Sequence, residues 1–511
     1  MVKHTLSNEY HVPFDPALFK NREEEKQLFL DTISAKTQNG HLEFVGVAGQ
    51  GKSELLKWIY YKTIEDGHAA AYVDFESAQY HRSEISPILE TISQQLSHQF
   101  SPDPFLSFQE ELPSYRQEFQ KFYRDSLEHP QSADRRPLEH KEFALIHTFN
   151  DNLTTILDSS HKVIFCLDST EKRYSPTFQA FEEQVLKYHT GHQNFMLVTA
   201  GQEKLVWNNT EINDKTKRCA LKRLENEAVR KQLDSLAEKK GFEIEDKELV
   251  LDKLLTLTLG HPYSTYKLID FWTDEFRRPL NRTVVEEHFS QSIYTLIETV
   301  IQDRILGMFQ LSQEYPSVKD ILRYLAPLRK IELTIFKYTL SEFLSYWFKE
   351  KKSMFFQALI GEFQKTYIFT EWRLGSGFEL DPVVRNLLIL DLRSHAPDRF
   401  LGVQEKLAKK YDSLVELTHE ATQVKNIVER LYHYATYLRE TQPNSVNALI
   451  KTELCRYLET YFTRQFTEDE DAVHEQHSRL SRVLEEDEEL AELVDIPTLV
   501  RIIQEHDQQV Y

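Results

Sequence analysis

At 511 residues the chain is too long for a single hydrophobic core, and three or four domains are expected. A hydrophobic fraction of 41% and a charged fraction of 28% are ordinary for a soluble globular protein, and 14 glycines with 17 prolines exclude a low-complexity or fibrous chain. The formal charge of −20, from 61 basic against 81 acidic residues, disfavours general affinity for nucleic acid or anionic membrane.

Cys166, Cys219 and Cys455 lie far apart and form no C-x-x-C pair, a pattern of free thiols in a reducing compartment. Met1-Val2-Lys3-His4 begins no apolar leader, and no run reaches the ~18 uncharged apolar residues of a spanning helix. The expected location is therefore cytoplasmic, with no membrane partner.

In chain order, a first helix carries Leu28, Phe29 and Ile33 after Asn21-Arg22-Glu23. Leu42-Glu43-Phe44-Val45 then reads as a buried strand, and Leu55, Leu56 and Ile59 form one face of a following helix. Between them stands Gly46-Val47-Ala48-Gly49-Gln50-Gly51-Lys52-Ser53, which fits G-x-x-x-x-G-K-[ST] in its required context of strand, turn and helix. The glycines let successive N–H groups point at one set of phosphate oxygens. Lys52 can reach the β- and γ-phosphates, the Ser53 hydroxyl can bind Mg²⁺, and Glu54 continues the loop into the helix.

A second strand is expected over 69–75, then a largely helical excursion from about 78 to 160 broken at Pro102, Pro104, Pro130 and Pro137. Val163-Ile164-Phe165-Cys166-Leu167 and Phe195-Met196-Leu197-Val198-Thr199 are continuous apolar runs, as parallel strands covered on both faces require. Cys219-Ala220-Leu221 is a shorter one, ahead of a helix over 225–236. These runs predict an α/β P-loop domain with a parallel sheet.

Beyond about 225 the pattern is almost wholly helical. The exception is Tyr367-Ile368-Phe369-Thr370-Glu371-Trp372 and Phe378-Glu379-Leu380 across Gly375-Ser376-Gly377, which reads as a β-hairpin. Helices on either side of it point to a winged helix. The last stretch is amphipathic helix, and its acidic runs at 468–471 and 485–489 read as solvated ends or faces. The expected division is a nucleotide-binding domain over 1–225, a helical lid over 226–300, a winged-helix domain over 301–395 and a solenoid-like helical domain over 396–511.

Asp168, directly after the third strand, is placed to hold Mg²⁺ through water, and Asp168-Ser169-Thr170-Glu171 puts a second acid one turn on. Glu171 could orient or deprotonate an attacking water, or be a surface carboxylate at a helix start. Thr199 could contact the γ-phosphate or make only a local bond. Gly260-His261-Pro262 is either a helix stop and restart or a fixed turn against the base. His474 and His477, three apart on a helix, lack a nearby third ligand and read as surface residues.

The order Asn21-Arg22-Glu23, phosphate loop, acidic motif at 168–171, strand ending in Thr199, Gly260-x-Pro262 and winged helix resembles the STAND class of signal-transduction ATPases, which holds the NACHT and NB-ARC proteins. The resemblance spans about residues 15–395. It implies ATP or ADP as ligand with Mg²⁺, Arg22 near the adenine-seating motif, Pro262 by the base, and slow ATP turnover. It also implies a prokaryotic switch in stress or antiviral signalling that forms a homo-oligomer when activated and acts on a protein partner or effector in trans. Lys172 stands where NACHT proteins usually carry a second acid, Leu380-Asp381 where a His-Asp pair is common, and Thr199 where many relatives place an arginine. Two other classes remain. One is a winged-helix DNA-binding ATPase of origin-recognition or transcription-regulator type, contacting DNA through Arg323, Arg329, Lys330, Lys349, Lys351 and Lys352. The other is a nucleotide-locked adaptor with little turnover.

Overall fold

The computed structural model describes residues 12–16, 19, 21–34, 40–80, 84–128, 134–159, 161–173, 175–202, 204–276, 279–305, 316–365, 368–371, 377–463 and 470–510. The chain divides into two compact units. The first is Met1–Phe309 with Gln357–Thr370 and Asp381–Val383; the second is Gln310–Phe356, Glu371–Leu380 and Val384–Tyr511.

The first unit begins with α1 (Glu23–Ser34), β1 (His41–Val45), α2 (Lys52–Glu65) and β2 (Ala69–Asp74). The expected helical excursion follows as α3 (Ser86–Ser97), α4 (Leu106–Glu128) and α5 (Arg136–Asp158). Next come β3 (Val163–Asp168), α6 (Ser175–Phe181), a π-helical turn, α7 (Lys187–His189), β4 (Phe195–Gly201), α8 (Thr210–Lys215) and β5 (Thr216–Ala220). All five strands run parallel in the order β2-β3-β4-β1-β5. β4 thus lies between β1 and β3, and whatever follows it sits between the phosphate loop and Asp168.

The strands alternate strictly between two cores, as a period of two demands. Ile164 and Cys166 of β3, Ala70 and Tyr72 of β2, and Met196 and Val198 of β4 pack with Leu55, Leu56 and Ile59 of α2. Val163, Phe165 and Leu167, with Ala69, Val73, Phe195 and Leu197, pack on the other face with Ile88, Ile92, Phe149 and Leu153 of α3 and α5. Each such Leu, Ile or Phe stabilises by ~1.5–3 kcal/mol on full burial.

β5 departs from expectation. It begins earlier, at Thr216, and its residues are exposed or half-buried, because β5 pairs only with β1 and forms a sheet edge. Edge strands present one side to solvent, so the apolar run at 219–221 overlaps only the last two residues of β5, and the buried Leu221 lies just past it.

The unit continues through α9 (Asn226–Lys240), α10 (Lys247–Thr258), α11 (Pro262–Phe276), α12 (Arg282–Glu287) and α13 (Phe289–Leu296). Trp272 of α11 is fully buried and donates through its indole N–H to Ser292 Oγ at 2.9 Å.

The second unit contains α14 (Val318–Leu325), α15 (Leu333–Phe343) and α16 (Ser345–Phe348). Next in the chain come α17 (Ser353–Lys365), most of which belongs to the first unit, and the short strands β6 (Phe369–Glu371) and β7 (Phe378–Leu380), which form the expected two-stranded sheet. Trp372 and the turn residues Gly375 and Ser376 lie outside the described residues, and Ile331 adds an antiparallel bridge to Phe378. α18 (Pro382–His395), α19 (Pro397–Leu417), α20 (Glu420–Thr441), α21 (Val446–Tyr461), α22 (Glu470–Glu485), α23 (Glu488–Ala491) and α24 (Ile496–Val510) complete it around a core that includes Leu431, Leu454, Leu480 and Ile503.

In the second acidic run Glu485, Glu486, Glu488 and Glu489 are exposed at the end of α22 and the start of α23, as expected, and Asp487 is the exception. Asp487 grips the buried Arg329 guanidinium at 2.6 Å from one side while Glu429 holds it at 3.1 Å from the other, and the Tyr432 ring lies 4.0 Å from the guanidinium. Glu489 pairs with Arg385 at 2.8 Å, and Asp487 also caps α23 through the Leu490 N–H. The role of Asp487 was not legible locally because its cationic partner Arg329 lies more than a hundred residues away in sequence. Of the earlier acidic run, 468 and 469 lie outside the described residues. His474 pairs with Asp507 at 2.7 Å, and His477 faces His506 at 2.9 Å. Among the described residues no helix is long and apolar enough to cross a membrane.

Candidate functional site: a phosphate loop and its strand-end acids

β1 ends at Val45, and the loop 46–51 turns into α2 through Gly49 and Gly51, both at φ 86°. That left-handed backbone suits glycine, and at Gly49 a second constraint applies. A Cβ there would lie 2.7 Å from His261 Cε1 and 2.8 Å from Tyr263 Cβ. The expected loop residues Gly46, Val47, Ala48, Gly49, Gln50, Gly51, Lys52, Ser53 and Glu54 therefore form one strand-to-helix turn, closed from outside by the start of α11.

Lys52 is buried, and its ammonium donates to Gly46 O at 2.8 Å and Val47 O at 3.0 Å. Burial lowers its pKa to about 8, against the opposing pull of Glu171 and Asp168. A proton is retained at neutral pH, so Lys52 is a cation aimed into the loop.

Asp168 shares its sheet face with Tyr72, Ile164 and Cys166, by the same alternation, and this face carries α2. Its carboxylate accepts from Tyr72 Oη at 2.6 Å and from the Ser169 N–H at 2.8 Å, and the Ser53 hydroxyl is hydrogen-bonded to it. Burial raises its pKa to about 6, with Asp74 adding to the rise and the Tyr72 and Ser53 bonds opposing it. A buried carboxylate with its charge incompletely balanced, beside a hydroxyl, is an oxygen-donor pair that fits a hard divalent cation.

Ser169, at φ 54°, forces the chain to turn back over the end of β4. There Thr170 Oγ1 donates to Ala200 O at 3.3 Å, and Glu171 accepts from the Gln202 N–H at 3.0 Å and Gln202 Nε2 at 3.1 Å. Glu171 is thus anchored at the mouth of the site rather than loose on a helix start.

For Thr199 the structure shows the local bond of its two expected readings. β4 runs on to Gly201, and Thr199 shares the face of Phe195 and Leu197, opposite to that of Asp168. Its hydroxyl reaches Leu42 O at 3.5 Å. The polar side chain beyond the strand is Gln202, which sequence reasoning passed over along with Tyr72 and Asp74.

Arg22 lines the same cleft, but its guanidinium is spent on the protein: Gln50 O at 2.8 Å, Lys222 O at 2.6 Å and Glu25 at 3.2 Å. The cleft, about 740 Å³, is polar along residues 49–54 and apolar where Phe14, Phe19, Leu224 and Tyr266 face it, and Pro262 lines it as well. A lining of both kinds suits a ligand that carries phosphates and a flat base.

No family model matches the chain, and no curated protein matches it. Among solved structures it is similar to the Walker-type ATPase PABY2304 of Pyrococcus abyssi, at 14% identity and a TM-score of 0.46, over 72% of this chain and 95% of that one. It is also similar to the RuvB Holliday junction branch migration motor of Thermotoga maritima (12% identity, 71% and 93%, TM-score 0.33) and to Cdc6p from Pyrobaculum aerophilum (13%, 76% and 99%, 0.34). Likeness at this level leaves the weight on the chain's own geometry. A five-stranded parallel sheet, a glycine turn into α2 with a buried lysine, and a carboxylate at the end of β3 beside Ser53 make this a P-loop ATPase fold.

Proposed function

We propose that this chain is an ATP-binding switch of STAND type, in which the nucleotide state governs oligomerisation and control of a protein partner or effector. The observation that carries the reading is the convergence of Asp168 and Glu171 on Lys52 and Ser53, which line a cleft that the start of α11 also lines. ATP or ADP would place its phosphates along 46–53, and Ser53 and Asp168 would hold Mg²⁺, which neutralises phosphate charge when bound. Pro262 and the aromatic wall would receive the base. The four-part division at 225, 300 and 395, with a winged helix in the third part, belongs to this reading, as do the cytoplasmic location and the role in prokaryotic defence or stress.

One observation favours the variant with little turnover: both oxygens of Glu171 are engaged by Gln202. The DNA-binding alternative loses two of its six contacts, since Arg323 is paired with Asp391 at 2.6 Å and Arg329 is buried between Glu429 and Asp487.

The test is to denature the purified protein, identify any released nucleotide, and compare wild type with Lys52→Ala by light scattering in ATP and in ADP. Bound ADP lost in the variant, with a larger species in ATP alone, supports the switch. One mass in both nucleotides sinks it.

A further inference from the structure

A phosphate cradle needs its N–H groups turned inward, and in a planar trans peptide the preceding carbonyl then points the opposite way. Those outward carbonyls are covered by protein here and must find donors. The loop meets this demand carbonyl by carbonyl. Inside the loop Lys52 Nζ donates to Gly46 O and Val47 O; of the carbonyls beyond them, Gln50 O accepts from Arg22 Nη2 at 2.8 Å and Gly49 O from the Tyr263 N–H at 3.2 Å. Ala48 O is left to His261, whose Nε2 lies 2.9 Å away.

The tautomer follows from the partners. The Ser264 N–H donates to His261 Nδ1 at 3.2 Å, so Nδ1 carries a lone pair and Nε2 carries the proton that Ala48 O accepts. Ser264 Oγ lies 2.6 Å from the same Nδ1. The ring is fully buried, and burial, with Lys52 and Arg22 nearby, lowers its pKa to about 4, so the neutral donor persists at physiological pH. Gly260 locks the turn behind it: Leu224 N–H donates to Gly260 O at 2.8 Å, and a Cβ on Gly260 would lie 2.1 Å from Leu224 O.

We propose that His261 is a positioning residue of the phosphate loop. Its Nε2–H holds the Ala48 peptide so that the Gly49 N–H faces the phosphates, and it couples the loop to α11. This rests on the nucleotide reading above, and it assigns to the residue between Gly260 and Pro262 a task at the phosphate end of the ligand rather than at the base.

The experiment compares His261→Gln with His261→Asn. Both are amides, but only glutamine reaches the place of Nε2. Affinity is measured for ADP and for adenosine, which lacks phosphates, alongside amide hydrogen exchange across residues 46–53 in nucleotide-free protein. Expected are near wild-type ADP binding for His261→Gln, a loss of about 10-fold for His261→Asn, and adenosine affinity unchanged in both. Exchange at 47–51 should rise in His261→Asn alone. Equal losses for ADP and adenosine, or no loss in His261→Asn, overturn the proposal. A wild type that binds neither ligand overturns the nucleotide reading instead, and the exchange data then still decide whether His261 braces the loop.

Discussion

Gln202 holds both carboxylate oxygens of Glu171, Oε2 through its backbone N–H at 3.0 Å and Oε1 through its side-chain amide at 3.1 Å. Two hydrogen bonds fix the direction of the carboxylate and occupy oxygen lone pairs that an attacking water would need. Gln202→Ala removes the side-chain bond and leaves the backbone one. Single-turnover ATP hydrolysis is expected to rise by roughly 3- to 10-fold in that variant, while Glu171→Gln binds ATP without cleaving it. An unchanged rate in Gln202→Ala would mean that Glu171 is not the restrained base.

How much of this was legible in the chain depends on where the information lies. The phosphate loop was, because glycine spacing, Lys52 and the flanking apolar runs are local. Asp168 was too, since a fully buried strand ending in an acid is read from six consecutive residues. Gln202 was not, because its role appears only once β4 is known to lie between β1 and β3. The face of Thr199 was legible as well: counting in twos from Phe195 and Leu197 puts it on the side away from α2. His261 and Arg329 stayed hidden for a common reason. Each is a buried polar group whose partner is distant in sequence, and no local pattern marks such a pair.

Asp168→Asn should stabilise the nucleotide-free protein while removing any stabilisation by Mg²⁺ with nucleotide. The folded pKa, about 6, is above the ordinary aspartate value, so at pH 7 the ionised group opposes folding. Asparagine carries no charge and can still accept from Tyr72 Oη. A gain on the order of 2 kcal/mol is expected at pH 7, shrinking as pH falls through 6 and the wild-type carboxyl protonates. Thermal unfolding with and without Mg²⁺ and ADP checks it, and a lower melting temperature for the nucleotide-free variant would contradict it.

Acid should loosen the nucleotide-binding unit well before its carboxylates titrate in bulk. Burial lowers His41, His189 and His261 to about 4. In the unfolded chain these rings take protons near pH 6.5, so between 6.5 and 4 the unfolded state binds more of them and stability falls with pH. Asp168 acts in the opposite sense over part of the range. Three histidine protons less the one on Asp168 leave about two near pH 5, a slope of roughly 2–3 kcal/mol per pH unit. Melting temperatures from pH 7 to 5 test this, with His189→Gln expected to flatten the curve.

Arg329→Met should be the most damaging single change in the helical unit. The arginine is nine-tenths buried, and Glu429 is buried behind it with a side chain 1% exposed. Removing the cation leaves Glu429 and Asp487 with only the Lys330 ammonium, 4.0 Å from Glu429, to balance them in a low-dielectric interior, a loss of roughly 3–5 kcal/mol. Replacing Glu429 by Gln in the same chain should restore part of it, because one of the two buried negative charges is then gone. Arg385→Met, whose partner Glu489 is half-exposed with a side chain 45% open to solvent, should cost markedly less. Denaturant unfolding followed by circular dichroism ranks the three, and equal losses for Arg329→Met and Arg385→Met would show that burial of the acidic partner does not set the cost.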